Sequence, residues 1–165
     1  MNGRLSLTVS VMVTASLVVG IGAGCAGKSM SKTGSGDVVA ERQRLMRLQG
    51  ANVGDMVAKL RAGNVEGIAV NAETLAILGS RIPEYFPDGS ITDKSNALPE
   101  IWSKRAEFDA AAKNLTARAE ELRNAARAKD QPKVEAMMKD FAQQTCGGCH
   151  APGPAKFRKA LPPRS

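Results

Sequence analysis

Residues 108–126, FDAAAKNLTARAEELRNAA, place Phe108, Ala112, Leu115, Ala119, Leu122 and Ala126 at alternating steps of four and three. That spacing returns each side chain to one face of an α-helix and forms the seam of a packed bundle. It predicts a long helix from about Glu100 to Ala128. On its C-terminal side, Pro132 suits a first helical turn. A further helix follows, with Val134, Met138, Phe141 and Thr145 turned inward and leading to Cys149. On its N-terminal side, Ile68, Ala72, Leu75, Leu78 and Ile82 share one face of a segment from about Glu66 to Ile82. Pro83 and the turn-rich Phe86-Pro-Asp-Gly-Ser90 end that segment. The earliest helix runs from a cap at Asp37 to about Ala62, close to 40 Å at ~1.5 Å per residue. Its stripe is Val39, Met46, Val53 and Leu60, with Met56 and Val57 beside it. No window alternates with period two. The expected fold is all-α, an antiparallel up-down-up-down four-helix bundle over residues 37–150.

The whole chain has 165 residues, three Cys and one His. One His excludes a bis-histidine metal site and more than one c-type haem; three Cys allow only one internal bridge. Aromatics at 4% are thin for nucleic-acid stacking. The net charge of +7 lies at the ends. Residues 1–36 carry Arg4, Lys28 and Lys32 without an acid; residues 151–165 carry Lys156, Arg158, Lys159 and Arg164 without an acid. The body between is formally neutral, which argues against nucleic acid as a partner.

Arg4, the apolar run from Leu5 to Ile21 and the small residues after it read as an export signal over residues 1–24. Gly22-Ala23-Gly24-Cys25 resembles a bacterial lipoprotein box, which makes Cys25 a candidate for lipidation, against ordinary cleavage near Ala26. Residues 25–36 read as a flexible Gly/Ser/Lys tether, and residues 151–165 as a basic tail.

The chemistry concentrates in Cys146-Gly147-Gly148-Cys149-His150. C-x-x-C-H is the attachment signature of c-type haem. Two Cys three apart project from one helix face, and the His after them can reach the iron. The two Gly keep the crossing backbone free of bulk. A thioredoxin-like site lacks its βαβ context, and a zinc site lacks a fourth ligand. A simple Cys146–Cys149 disulfide leaves the only His unexplained. A haem-free helical lipoprotein carrying that disulfide stands as the structurally different alternative.

A C-terminal CxxCH on the last of four helices resembles the class II cytochromes c, the cytochrome c' family with its low-spin Met-ligated relatives. Arg42-Gln43-Arg44-Leu45-Met46, Phe86-Pro-Asp-Gly-Ser90 and Leu98-Pro-Glu-Ile-Trp102 followed by Phe108 carry the resemblance further. It implies one covalent haem c on Cys146 and Cys149, with His150 as proximal iron ligand. It places Met46 where low-spin members hold their sixth ligand, and offers Arg42 to a haem propionate; Met46 also reads as core filler. Met56, Met137 and Met138 read as core. Ala151-Pro152-Gly153-Pro154 departs from the family by breaking the last helix, so Phe157-Arg158 arrives about four residues late.

The resulting expectation is a bacterial periplasmic mono-haem electron carrier, His/Met ligated and not an enzyme. Redox proteins of the periplasm or membrane would be its partners, and Cys25 its lipid anchor. The alternative is a five-coordinate haem protein that binds NO or CO. The family's frequent dimers add a homodimer as a further expectation.

Overall fold

The computed structural model describes residues 35–150 and 157–158. The expected export signal, Cys25 and nearly all of the expected tether lie outside the described residues. Six helical pieces follow in order: α1 Ser35–Arg61, α2 Ile68–Arg81, α3 Glu100–Ser103, α4 Arg105–Arg127, α5 Gln131–Thr145 and α6 Gly147–His150. A 3-10 turn, Ile82–Tyr85, prolongs α2. The pairs α3–α4 and α5–α6 are the third and fourth helices of an antiparallel four-helix bundle. Among the described residues the one β-type contact is an isolated antiparallel bridge between Ala97 and Arg158.

The expected seam is the core. Phe108, Ala112, Leu115, Ala119, Leu122 and Ala126 are all buried. They meet Ile68, Ala72 and Leu75 of α2, also buried, across the widest interface of the bundle. Gly79 brings the two helices close: a Cβ there would stand 3.0 Å from Thr116 Oγ1 and 3.1 Å from Leu115 Cγ. Helix α1 packs on α2 and α5 packs on α4. Helices α1 and α5 approach over a short stretch only, and α6 lies against α4 and α5, its backbone away from that of α1.

Polar groups also join α1 to α2. Buried Asn71 donates to Asn52 Oδ1 (3.0 Å) and Asp55 Oδ2 (2.9 Å) and accepts from Lys59 Nζ at 2.6 Å. These bonds settle a buried amide that would otherwise cost stability.

Helix boundaries depart from the sequence expectation in four places. Helix α1 starts at Ser35, two residues before Asp37, and so takes in the end of the expected tether. Helix α2 starts at Ile68, because Asn64 Oδ1 accepts from Gly67 N (2.9 Å) and holds a turn there. The third helix is interrupted at Lys104 (φ −120°, ψ 43°). The break turns Arg105 toward the preceding loop, where it donates to Phe86 O (2.9 Å) and Pro83 O (3.2 Å). The fourth helix divides at Cys146, just before two glycines that weaken helix propagation.

The tail contributes to the core. Phe157 is buried, and Leu98 N donates to Phe157 O at 3.0 Å. The chain after His150 therefore returns to the bundle.

Candidate functional site

Cys146, Cys149 and His150 lie on one closed turn. Cys149 N (3.1 Å) and His150 N (3.0 Å) both donate to Cys146 O. Thr145, buried, donates from Oγ1 to Phe141 O (2.7 Å), and its oxygen stands 3.6 Å from Cys146 Sγ. Both Cys are free thiols rather than a disulfide. Cys149 packs against the core, and burial, then the neighbouring Cys146, raise its thiol pKa to about 11. No group of three or more His, Cys, Asp or Glu among the described residues is placed to hold a metal ion.

A Cβ on Gly147 or Gly148 would meet only ordinary contacts, Ala142 O and Ala111 Cβ, each at 3.9 Å. The bundle itself does not demand glycine here. What the two glycines give is a turn carrying two thiols with no side chain between them.

Arg158, whose role the sequence left open, comes to His150. Its Nη1 stands 3.5 Å from His150 Nδ1. Partial burial, then the Arg158 charge, hold the imidazole below its usual pKa. The ring is therefore neutral near pH 7, the form that binds metals.

A line of rings crosses this pole of the bundle. Phe157 meets Phe108 edge-on at 5.3 Å, and Phe108 meets Phe86 at 4.9 Å. The Arg42 guanidinium lies 4.2 Å over Phe86. Arg42 on α1 and His150 on α6 thus sit at the same end of the molecule. Met46, one turn after Arg42, is half-buried against the core.

Arg42 itself is buried. It donates to Tyr85 O, to Ser90 O (3.0 Å) and to Ser90 Oγ. Three of its roughly five N–H groups are therefore given to the α2–α3 loop rather than to the expected propionate. Desolvation lowers its pKa. Trp102 is half-buried and donates from Nε1 to Pro87 O at 2.9 Å.

One residue escaped the sequence reading. Gln49 is 8% exposed, and its Nε2 is buried without a partner. It lies three residues after Met46 on the inward side of α1. The signal was a polar residue beside an apolar stripe read only in steps of seven.

Residues 37–152 match the family described as Cytochrome C'. The chain belongs to the cytochrome c' family. The match spans the whole bundle, so the fold and the CxxCH turn fall inside it. Cytochrome c' from Rubrivivax gelatinosus is 25% identical, with a TM-score of 0.64 over 76% of this chain and 97% of that one. A cytochrome c' variant from Alcaligenes xylosoxidans in its nitric oxide complex is 27% identical, with a TM-score of 0.66 over 77% and 97%. A carbon monoxide-bound variant from the same organism is also 27% identical, TM-score 0.66, over 77% and 98%. No curated protein matches the chain.

Cytochromes c' carry one covalently attached haem c, and the single CxxCH of this chain accounts for one. The residues fit that group: two free thiols on one turn, unobstructed glycines between them, and a neutral imidazole next in sequence.

Proposed function

We propose that the protein is a five-coordinate cytochrome c' that binds NO or CO. Cys146 and Cys149 form the thioethers, and His150 is the proximal ligand. The observation that carries this is the match to cytochrome c' chains held as NO and CO complexes. The sequence alone put electron transfer first; the likeness to cytochrome c' chains held as NO and CO complexes supports gas binding ahead of it. When bound, haem iron supplies reversible one-electron chemistry and a coordination position for a diatomic ligand.

The chain's residues set the conditions. The turn closed on Cys146 O fixes His150 beside both thiols. Burial, then the Arg158 charge beside the ring, favour the neutral imidazole that would bind the haem iron. Met46 offers a half-buried, apolar thioether from α1, which would keep water from a haem held beside it. Arg42 fixes the loop that closes this pole.

A second reading rests on Met46 itself. A half-buried thioether at the pole of His150 suits a sixth ligand, a raised potential and electron transfer to redox proteins. One absorbance experiment decides. The ferrous holoprotein is expected to be high-spin and to shift its Soret band on adding CO. A low-spin spectrum that resists CO and turns high-spin in Met46→Ala would establish Met46 ligation instead. No Soret band after expression with a haem-maturation system would overturn both and return the haem-free alternative.

Export to the periplasm follows from the basic, apolar and small-residue order of residues 1–24 and is in keeping with the family. Among the described residues no helix is long and apolar enough to cross a membrane. A lipid on Cys25 would tether the protein to the membrane, and Cys25→Ser is then expected to release it into the soluble periplasmic fraction. Sedimentation of the holoprotein tests for a homodimer.

A further inference from the structure

Gln49 has no structural task that its surroundings reveal. It is 8% exposed, and Nε2 meets no partner. Thr92 Oγ1 and Glu100 Oε2 also lack a partner, but they belong to half-buried side chains at the α2–α3 loop and the start of α3; inside the helices, Arg42 ties the α2–α3 loop, Asn71 joins α1 to α2, and Thr145 bonds Phe141 O. An unpartnered amide is costly to keep inside a core, and a Leu or Met of similar volume would serve packing better.

Its place in the fold suggests what it meets. Three residues after Met46 and seven after Arg42, it shares their inward side of α1. Arg42 is tied through the line of rings to the pole that holds His150. The backbones of α1 and α6 keep apart, each lying against other helices. A group held between them would have His150 on one face and Met46 with Gln49 on the other.

We propose that Gln49 is the distal hydrogen-bond donor for a diatomic ligand, its Nε2–H directed to the oxygen of iron-bound CO or NO. This rests on the five-coordinate reading. Met46 and Gln49 then divide the work: the thioether excludes water, and the amide recognises the one polar atom the ligand brings. A donor at that oxygen draws electron density into the ligand and weakens its internal bond.

The test compares the ferrous CO complexes of the wild-type holoprotein, Gln49→Leu and Gln49→Met by infrared spectroscopy and CO-release kinetics. Two apolar replacements are used so that a folding failure in one leaves the other. In both variants the C–O stretch is expected to rise in frequency, and CO release to quicken roughly two- to tenfold, the worth of one hydrogen bond. Wild type that binds CO, with variants that leave stretch and release unchanged, would overturn the role of Gln49 while keeping the open site. Wild type that stays low-spin and refuses CO would overturn the open site and this proposal together. The two failures are therefore told apart on the wild-type protein alone.

Discussion

Arg42 shows how one side chain can organise a loop. Its bonds to Tyr85 O, Ser90 O and Ser90 Oγ span more than forty residues of sequence, and its guanidinium lies over Phe86. Arg42→Met keeps the length and removes the donors. Two carbonyls then lose a charged partner, and the expected loss is about 2–3 kcal/mol in urea unfolding of the holoprotein. Asp55 gives a pH signature. Hydrogen bonds from Lys59, then Asn71, lower its pKa below the ordinary 3.8. Its contribution is therefore present above that value and fades as pH falls through the lowered one. Asp55→Asn is expected to flatten the acid side of the stability curve while leaving its alkaline side in place, measured by thermal melts across pH. At this scale the CxxCH turn was fully legible, because its chemistry needs residue types at a fixed local spacing. Gln49 and the loop role of Arg42 were not, because a polar side chain's partner, or lack of one, lies far off in sequence.

Helix ends decide much at the next scale. Helix α4 closes with Lys129 in the left-handed region (φ 56°). Asp130 N donates to Ala125 O (3.1 Å) and Lys129 N to Ala126 O (3.0 Å), the paired bonds of a Schellman end. Glycine is the usual residue there, and a side chain costs roughly 1–2 kcal/mol in that conformation. Lys129→Gly is expected to raise stability by about 1 kcal/mol, read as a higher Tm. The lost Lys129–Glu66 pair is exposed on both sides and offsets little. Asp130 then caps α5 by accepting from Lys133 N at 3.2 Å. The apolar period of α4 could be read directly, since all six seam residues are buried. The interruption at Lys104 could not, because it follows from where Arg105 must reach, not from any local propensity.

The bundle is packed unevenly as a whole. Its strongest seam joins α2 to α4, while α1 and the α5–α6 arm scarcely meet. The pole carrying His150 is held by rings from separate stretches: Phe86, Phe108 and Phe157. Phe157→Ala is expected to cost about 3 kcal/mol, as for other buried aromatics. It should also free Arg158, so that the His150 environment changes in the holoprotein's Soret spectrum. Guanidinium unfolding and the absorbance maximum, taken together, check both parts. Charge at this scale was legible as a neutral body between basic ends. The tail's structural half was not: the Pro-Gly-Pro stretch reads as a break, and only the fold shows Phe157 coming back.

The return of the chain at Phe157 separates the attachment turn from what encloses it. Both thiols and the imidazole stand on a turn that ends at His150. Phe157, the last rung of the aromatic line, and Arg158, the cation beside the ring, lie beyond it. A chain stopped after His150 would be expected to accept haem and yet hold it at a looser, wetter end of the bundle. Residues 157–158 therefore act as a latch on an attachment turn they do not themselves build.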